Sequence, residues 1–131
     1  MTTRGAKAQL RQRLYLAAHQ EVKNIISRLP DPVRNHAQAV PVIFEMTPSA
    51  KDAKSGIESD TLGLFTGMPI SEQLNSLSVE PTQIILYMEN IWDYVRHDAT
   101  DYREEICRTY LHELGHYLGL EEHELEERNL D

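Results

Sequence analysis

The sequence predicts an α+β fold, a small mixed β-sheet packed against two helices. Three observations predict it. A long N-terminal stretch carries apolar residues at helical spacing, several short β-type segments occupy the middle, and a second helical stretch near the end separates its apolar and polar residues onto opposite faces. At 131 residues the chain has the size of one domain, and 40% hydrophobic residues supply a small core. Residues 1–131 are therefore expected to form a single domain, with 1–5 as a frayed end.

The elements follow in order. From Ala6 to Leu29, the residues Leu10, Leu14, Ala17, Ala18, Val22, Ile25 and Leu29 recur at helical spacing, and Pro30 and Pro32 stop that helix. Val40 to Met46 reads as a strand with Val40, Val42, Phe44 and Met46 on one face; Pro41 marks an edge position or a strand start. Residues 47–60 are polar, carry Pro48 and Gly56, and read as a loop. Leu62 to Thr66 is a short strand closed by Gly67, followed by an irregular connection to Pro81. Gln83 to Met88, apolar on both faces, is the central strand. Asn90 is placed to cap a short helix through Val95. Asp101 and Glu104 form a capping-box pattern opening a helix from about Tyr102 to Leu118, with Gly119 as its stop. Residues 121–128 suit a last short helix.

Charge is unevenly spread. The chain carries a net −8. Residues 1–34 hold seven Lys and Arg against Glu21 and Asp31, a net +5, which leaves −13 on the remainder. An acidic body argues against a phosphate-backbone partner, and the basic helix reads as a solvated face. No run approaches a membrane span, and no apolar segment follows Arg4 and Lys7 as a secretory signal would require. The single cysteine, Cys107, forms no intrachain disulfide, so a reducing cytoplasm is the expected compartment.

The predicted C-terminal helix contains His112-Glu113-Leu114-Gly115-His116, with Gly119 completing HExxHxxG. Composition alone would produce HExxH in a chain this short well under about 1% of the time. With about 100° per residue and His112 at 0°, His116 falls at about 40°, Glu105 at about 20°, Thr109 at about 60° and Glu113 at about 100°. Ile106, Cys107, Tyr110, Leu111, Leu114, Tyr117 and Leu118 fall between about 120° and 260°. The apolar stripe thus backs onto a core while the histidines and Glu113 share the other side. A merely solvated face would carry Lys, Arg and Gln.

Two imidazoles one turn apart grip a single metal ion, and a carboxylate beside the first is placed to act on an activated water. Zn2+ is the expected cofactor, with His112 and His116 as ligands and Glu113 as general base. A catalytic zinc takes a third protein ligand. The short stretch after His116 confines it to the tail: Glu122, three residues past Gly119, is favoured by spacing, His123 is the alternative, and Glu121 and Glu124 are further possibilities. Among other residues, Tyr87, Tyr110 and Tyr117 are of a type to steady an oxyanion, but Tyr110 and Tyr117 lie on the apolar stripe and read as core. Cys107 reads as buried and inert, Trp92 as an anchor for the short helix, His97 as an exposed loop residue; His19 and His36 have no partner pattern.

With these residues in hand, the chain resembles the small bacterial zincin-like metallopeptidases, a family with a minimal metzincin-like fold. The resemblance runs from about Leu29 to Arg128. It includes Leu29-Pro30 after a first helix, Leu62-Gly63-Leu64-Phe65-Thr66-Gly67, Ile84-Ile85-Leu86-Tyr87, and the motif helix with its Leu125-Glu126-Glu127-Arg128 tail. It implies a minimal zincin-like α+β domain, His112 and His116 as ligands, Glu113 as base, and an acidic residue near 122 as third ligand. The chain departs from larger metzincins in having no third histidine at 122 and no methionine turn after the motif; Met46, Met68 and Met88 all precede it.

The expected function is zinc-dependent hydrolysis, of a peptide or protein substrate, with a substrate strand added beside Leu62–Thr66. A metal-dependent endoribonuclease is an alternative, disfavoured by Glu113, Glu122 and the −13 body. A non-catalytic module stapled by metal is another, and Glu113 discriminates, since a structural site does not need it. Nucleic acid and membrane are not expected partners, and the oligomeric state is left open.

Overall fold

The structure is a computed structural model and describes residues 4–70 and 81–119. Five helices and three strands follow in the order α1 (Arg4–Arg28), α2 (Asp31–Ala39), β1 (Val42–Glu45), α3 (Ala50–Lys54), β2 (Gly63–Thr66), β3 (Gln83–Tyr87), α4 (Met88–Tyr94) and α5 (Ala99–Tyr117). The sheet order is β1-β3-β2. β1 runs parallel to β3, with Val42 opposite Ile84, and β2 runs antiparallel to it, with Leu64 opposite Ile85. The domain is the mixed α+β arrangement expected.

β3 is central because both its faces are apolar. Ile84, Leu86 and Tyr87 are buried completely, as a strand covered on two sides requires. β1 and β2 flank it, and Pro41 sits just before the edge strand β1, where a missing N–H costs nothing. Along β1, Val42 and Phe44 are half-buried while Ile43 and Glu45 are exposed, the alternation of a strand with one covered face.

The helical spacing of α1 buries Leu14, Ala18 and Val22, with Leu10, Ala17, Ile25 and Leu29 packed beside them. Pro30 and Pro32 do end α1, but they also begin α2, in which proline occupies the first turn. A proline there lacks only an N–H that the helix leaves unbonded anyway. The polar segment before β2 is not entirely loop: Ser49 and Asp52 form a reciprocal capping box that nucleates α3, with Ser49 N–H donating to Asp52 at 2.8 Å and Asp52 N–H to Ser49 Oγ at 3.1 Å.

Two caps differ from expectation. α4 starts directly after β3, so Asn90 lies inside it; its side-chain amide instead donates to the Ser59 and Thr61 carbonyls at 2.8 and 2.9 Å and pins the approach to β2. α5 starts at Ala99 because Asp98 is its N-cap, accepting from the Asp101 N–H at 2.8 Å, which displaces the Asp101–Glu104 pattern. Gly119 does terminate α5. Its φ of 86° is in the left-handed region, and its N–H donates to the His116 carbonyl at 2.9 Å.

The back of α5 is core. Ile106, Tyr110, Leu114 and Tyr117 are 0–4% exposed, and each fully buried side chain of this size stabilises by roughly 1.5–3 kcal/mol. Tyr102 extends the contact to α1, donating its hydroxyl to the Leu14 carbonyl at 2.9 Å across a buried seam. Arg103 and Cys107 both meet the Glu21 carboxylate on the same seam, at 3.2 and 3.5 Å. Trp92 of α4 meets Tyr102 edge-on, as an anchor should, and His97 stacks on Trp92 at 5.0 Å while bonding Asp93 at 2.8 Å. The predicted final helix at 121–128 lies outside the described residues.

Candidate functional site

His112 and His116 stand one turn apart near the C-terminal end of α5, both half-buried, and their Nε2 atoms are 3.2 Å from each other. Their rings meet nearly at right angles, with centroids 4.8 Å apart. Two nitrogens each about 2.0–2.1 Å from a tetrahedral zinc would be roughly 3.3–3.4 Å apart. The observed separation is close to what a tetrahedral ion held by both Nε2 atoms would require.

β2 covers the neighbouring part of the same helix face. Gly63 is the point of contact: a β-carbon there would lie 2.5 Å from Thr109 Cγ2, 3.3 Å from Glu113 Cγ and 3.4 Å from the Ile85 carbonyl. Glycine is thus what permits the strand to approach α5 beside Glu113. At this contact Thr109 is 6% exposed, and its hydroxyl donates at 2.9 Å to the carboxylate of Glu105, itself 9% exposed. The motif face is accordingly not open along its whole length. The edge strand covers it at Thr109 and reaches Glu113, and His112, Glu113 and His116 are half-buried. Helical periodicity places residues on a face but cannot show which part of that face a strand covers, so this cover was not legible in the motif. In the sequence Gly63 lies in a segment that reads only as a short strand.

Tyr87, Tyr110 and Tyr117 are buried. The Tyr110 hydroxyl has no hydrogen-bond partner among the described residues. Burial pushes the Tyr87 phenol up to about 12, with the Asp52 and Glu45 carboxylates adding to the shift. Burial alone raises Tyr110. Cys107 is half-buried rather than buried; burial, then the Glu21 carboxylate it bonds, push its thiol up to about 11, far from thiolate chemistry at neutral pH. Among the described residues no three His, Cys, Asp or Glu side chains converge as a ready metal cluster. Glu122 and His123, the candidates for a third ligand, lie outside the described residues, as do Glu121 and Glu124.

A mixed three-stranded sheet with an edge strand laid against an HExxH helix defines a class, the zincin-like domain. A family model for zincin-like metallopeptidases matches residues 37–130. The chain belongs to the zincin-like metallopeptidase family. The match takes in all three strands and α5, and leaves α1 outside it. No curated protein matches the chain. The family membership suggests a zinc-dependent hydrolase of peptidase type.

Proposed function

We propose that the protein is a zinc peptidase in which His112 and His116 hold the metal, Glu113 is the general base, and Glu122 completes the ligand set, with His123 as the alternative. The observation that carries this reading is the 3.2 Å approach of the two histidine Nε2 atoms on one helix face, the edge length of a tetrahedral site. When bound, the zinc would supply Lewis acidity and a water activated at neutral pH.

The chain's own residues do the rest. Glu113 follows His112 directly, and its Cγ would lie 3.3 Å from a β-carbon on Gly63, so its side chain leaves the motif helix beside the edge strand. There it takes a proton from the attacking water and returns it to the departing amine nitrogen. β2 has β3 on one side and no strand on the other among the described residues. A peptide added along that outer side runs past Gly63 and presents its carbonyl beside Glu113. Because Gly63 projects no side chain into the gap, the peptide and the base can come together without displacing Thr109.

Glu113→Gln is the direct test. It removes the base and keeps the shape, so metal content and melting temperature should match the parent. Hydrolysis of an unstructured protein substrate such as denatured casein should fall by at least about 10²-fold, the usual contribution of a positioned base. A Gln variant that cleaves casein as fast as the parent would exclude Glu113 from the chemistry.

A further inference from the structure

A trough follows the seam between α1 and β1. Its first part, about 680 Å³, has the exposed cations Arg4, Lys7 and Arg11 along its rim and Phe44, Met46 and Met88 beneath them. Its second part, about 500 Å³, has Lys23 and His19 on the rim over Val22, Ile26 and Val42. The two parts meet at Phe44, which lines both. Tyr15 packs edge-on to Phe44 at 5.3 Å at this junction and is itself 41% exposed.

The charge of this lining runs against that of the molecule. The chain carries 21 Asp and Glu and a net −8. Yet four cations and no carboxylate line the two parts among the described residues. Each part is within the roughly 300–1,000 Å³ of ligand clefts. Together they follow α1 from Arg4 to Ser27, about 35 Å at 1.5 Å per residue. That length matches about ten residues of extended chain and exceeds any compact small molecule. Val42, Phe44 and Met46 recur every second residue, which is the period of a strand's side chains.

We propose that this trough docks an extended acidic peptide segment of a partner protein, with apolar side chains at alternate positions seated over Phe44 and Met46 and carboxylates set against Arg4, Lys7, Arg11 and Lys23. A bilayer surface does not follow a concave seam. A nucleic acid would gain nothing from the thioether and branched-chain floor, which alternate apolar side chains of a peptide would cover. None of the trough's lining belongs to the motif helix, so the proposal stands apart from the hydrolytic reading.

The test uses the full chain and a fluorescein-labelled peptide of about ten alternating Glu and Leu residues, followed by fluorescence anisotropy. The parent and Glu113→Gln should bind it equally, and binding should weaken as salt rises. Reversing Arg4, Lys7 and Arg11 together to Glu should weaken it by about tenfold or more, mostly through slower association. Amide chemical shifts of the parent on peptide addition should fall on α1 and β1, a readout independent of whether the triple variant folds. An absence of binding, shifts confined to residues 112–116, unaltered affinity in a folded triple variant, or displacement of the peptide by a single-stranded oligonucleotide would each overturn the proposal.

Discussion

At Gly63 a single methyl group decides whether the edge strand and the motif helix fit together. An alanine there would drive its β-carbon to 2.5 Å from Thr109 Cγ2, an overpacking that costs about 1–3 kcal/mol. Gly63→Ala should lower the melting temperature and depress hydrolysis together. Thr109→Ser removes the offending methyl and retains the hydroxyl that bonds Glu105. The double variant should therefore recover most of the lost stability, a coupling a thermal-denaturation cycle measures directly. Additive losses would mean that β2 meets α5 elsewhere. Tyr110 gives the opposite expectation. Its hydroxyl is buried with no hydrogen-bond partner among the described residues, and an unpartnered group of this kind costs about 1–3 kcal/mol. Tyr110→Phe should leave the melting temperature equal or higher and hydrolysis unchanged; a large loss of turnover would give that hydroxyl a role in the chemistry. The candidate residues themselves were legible because HExxH encodes geometry in spacing: four residues on a helix bring His112 and His116 to one side. The role of Gly63 was not legible, because it depends on a strand 46 residues away from Thr109 in sequence, and spacing along one element cannot report it.

At the scale of elements, α5 is fixed at its start by Asp98 and along its back by α1. Asp98→Ala removes the acceptor for the Asp101 N–H and should cost about 1 kcal/mol, read from denaturant unfolding. Tyr102→Phe breaks a buried bond to the Leu14 carbonyl. It should cost about 1 kcal/mol, the net worth of one hydrogen bond, since the Leu14 carbonyl lies inside α1 and keeps its intrahelical donor. An unchanged midpoint in either variant would contradict the cap or the seam. The strongly periodic elements were readable from the sequence: α1, the all-apolar β3, and the stripe of α5. The boundaries that moved did so for tertiary or local polar reasons. Asn90 is drawn from capping duty to the Ser59 and Thr61 carbonyls, which sit some thirty residues upstream. α2 and α3 were missed because each is nucleated by its first turn, a proline in one and a Ser49–Asp52 box in the other, rather than by an apolar period.

At the scale of the whole molecule, the core carries three phenols whose ionisation opposes folding. Burial raises Tyr87 from 10.0 to about 12 and raises Tyr102 and Tyr110 further in the same direction. In the unfolded chain they would ionise near 10.0, so above that pH the unfolded state holds fewer protons than the folded one. Stability is therefore fully present below about pH 10 and falls as pH rises through the shifted values. Phenolate absorbance of these buried rings should appear together with loss of far-ultraviolet dichroism in an alkaline titration. Ionisation of all six tyrosines near pH 10 with the fold intact would contradict the burial described. No helix among the described residues is long and apolar enough to cross a membrane.

One face of α5 is proposed to hold a metal through His112 and His116. Zinc analysis of the purified protein beside His112→Ala, His116→Ala and Glu113→Gln tests it most directly. The parent and Glu113→Gln should each carry about one zinc per chain, and both alanine variants, with one imidazole of the pair gone, should lose it on dialysis. Equal zinc in all four, or none in the parent after zinc loading, would contradict the account.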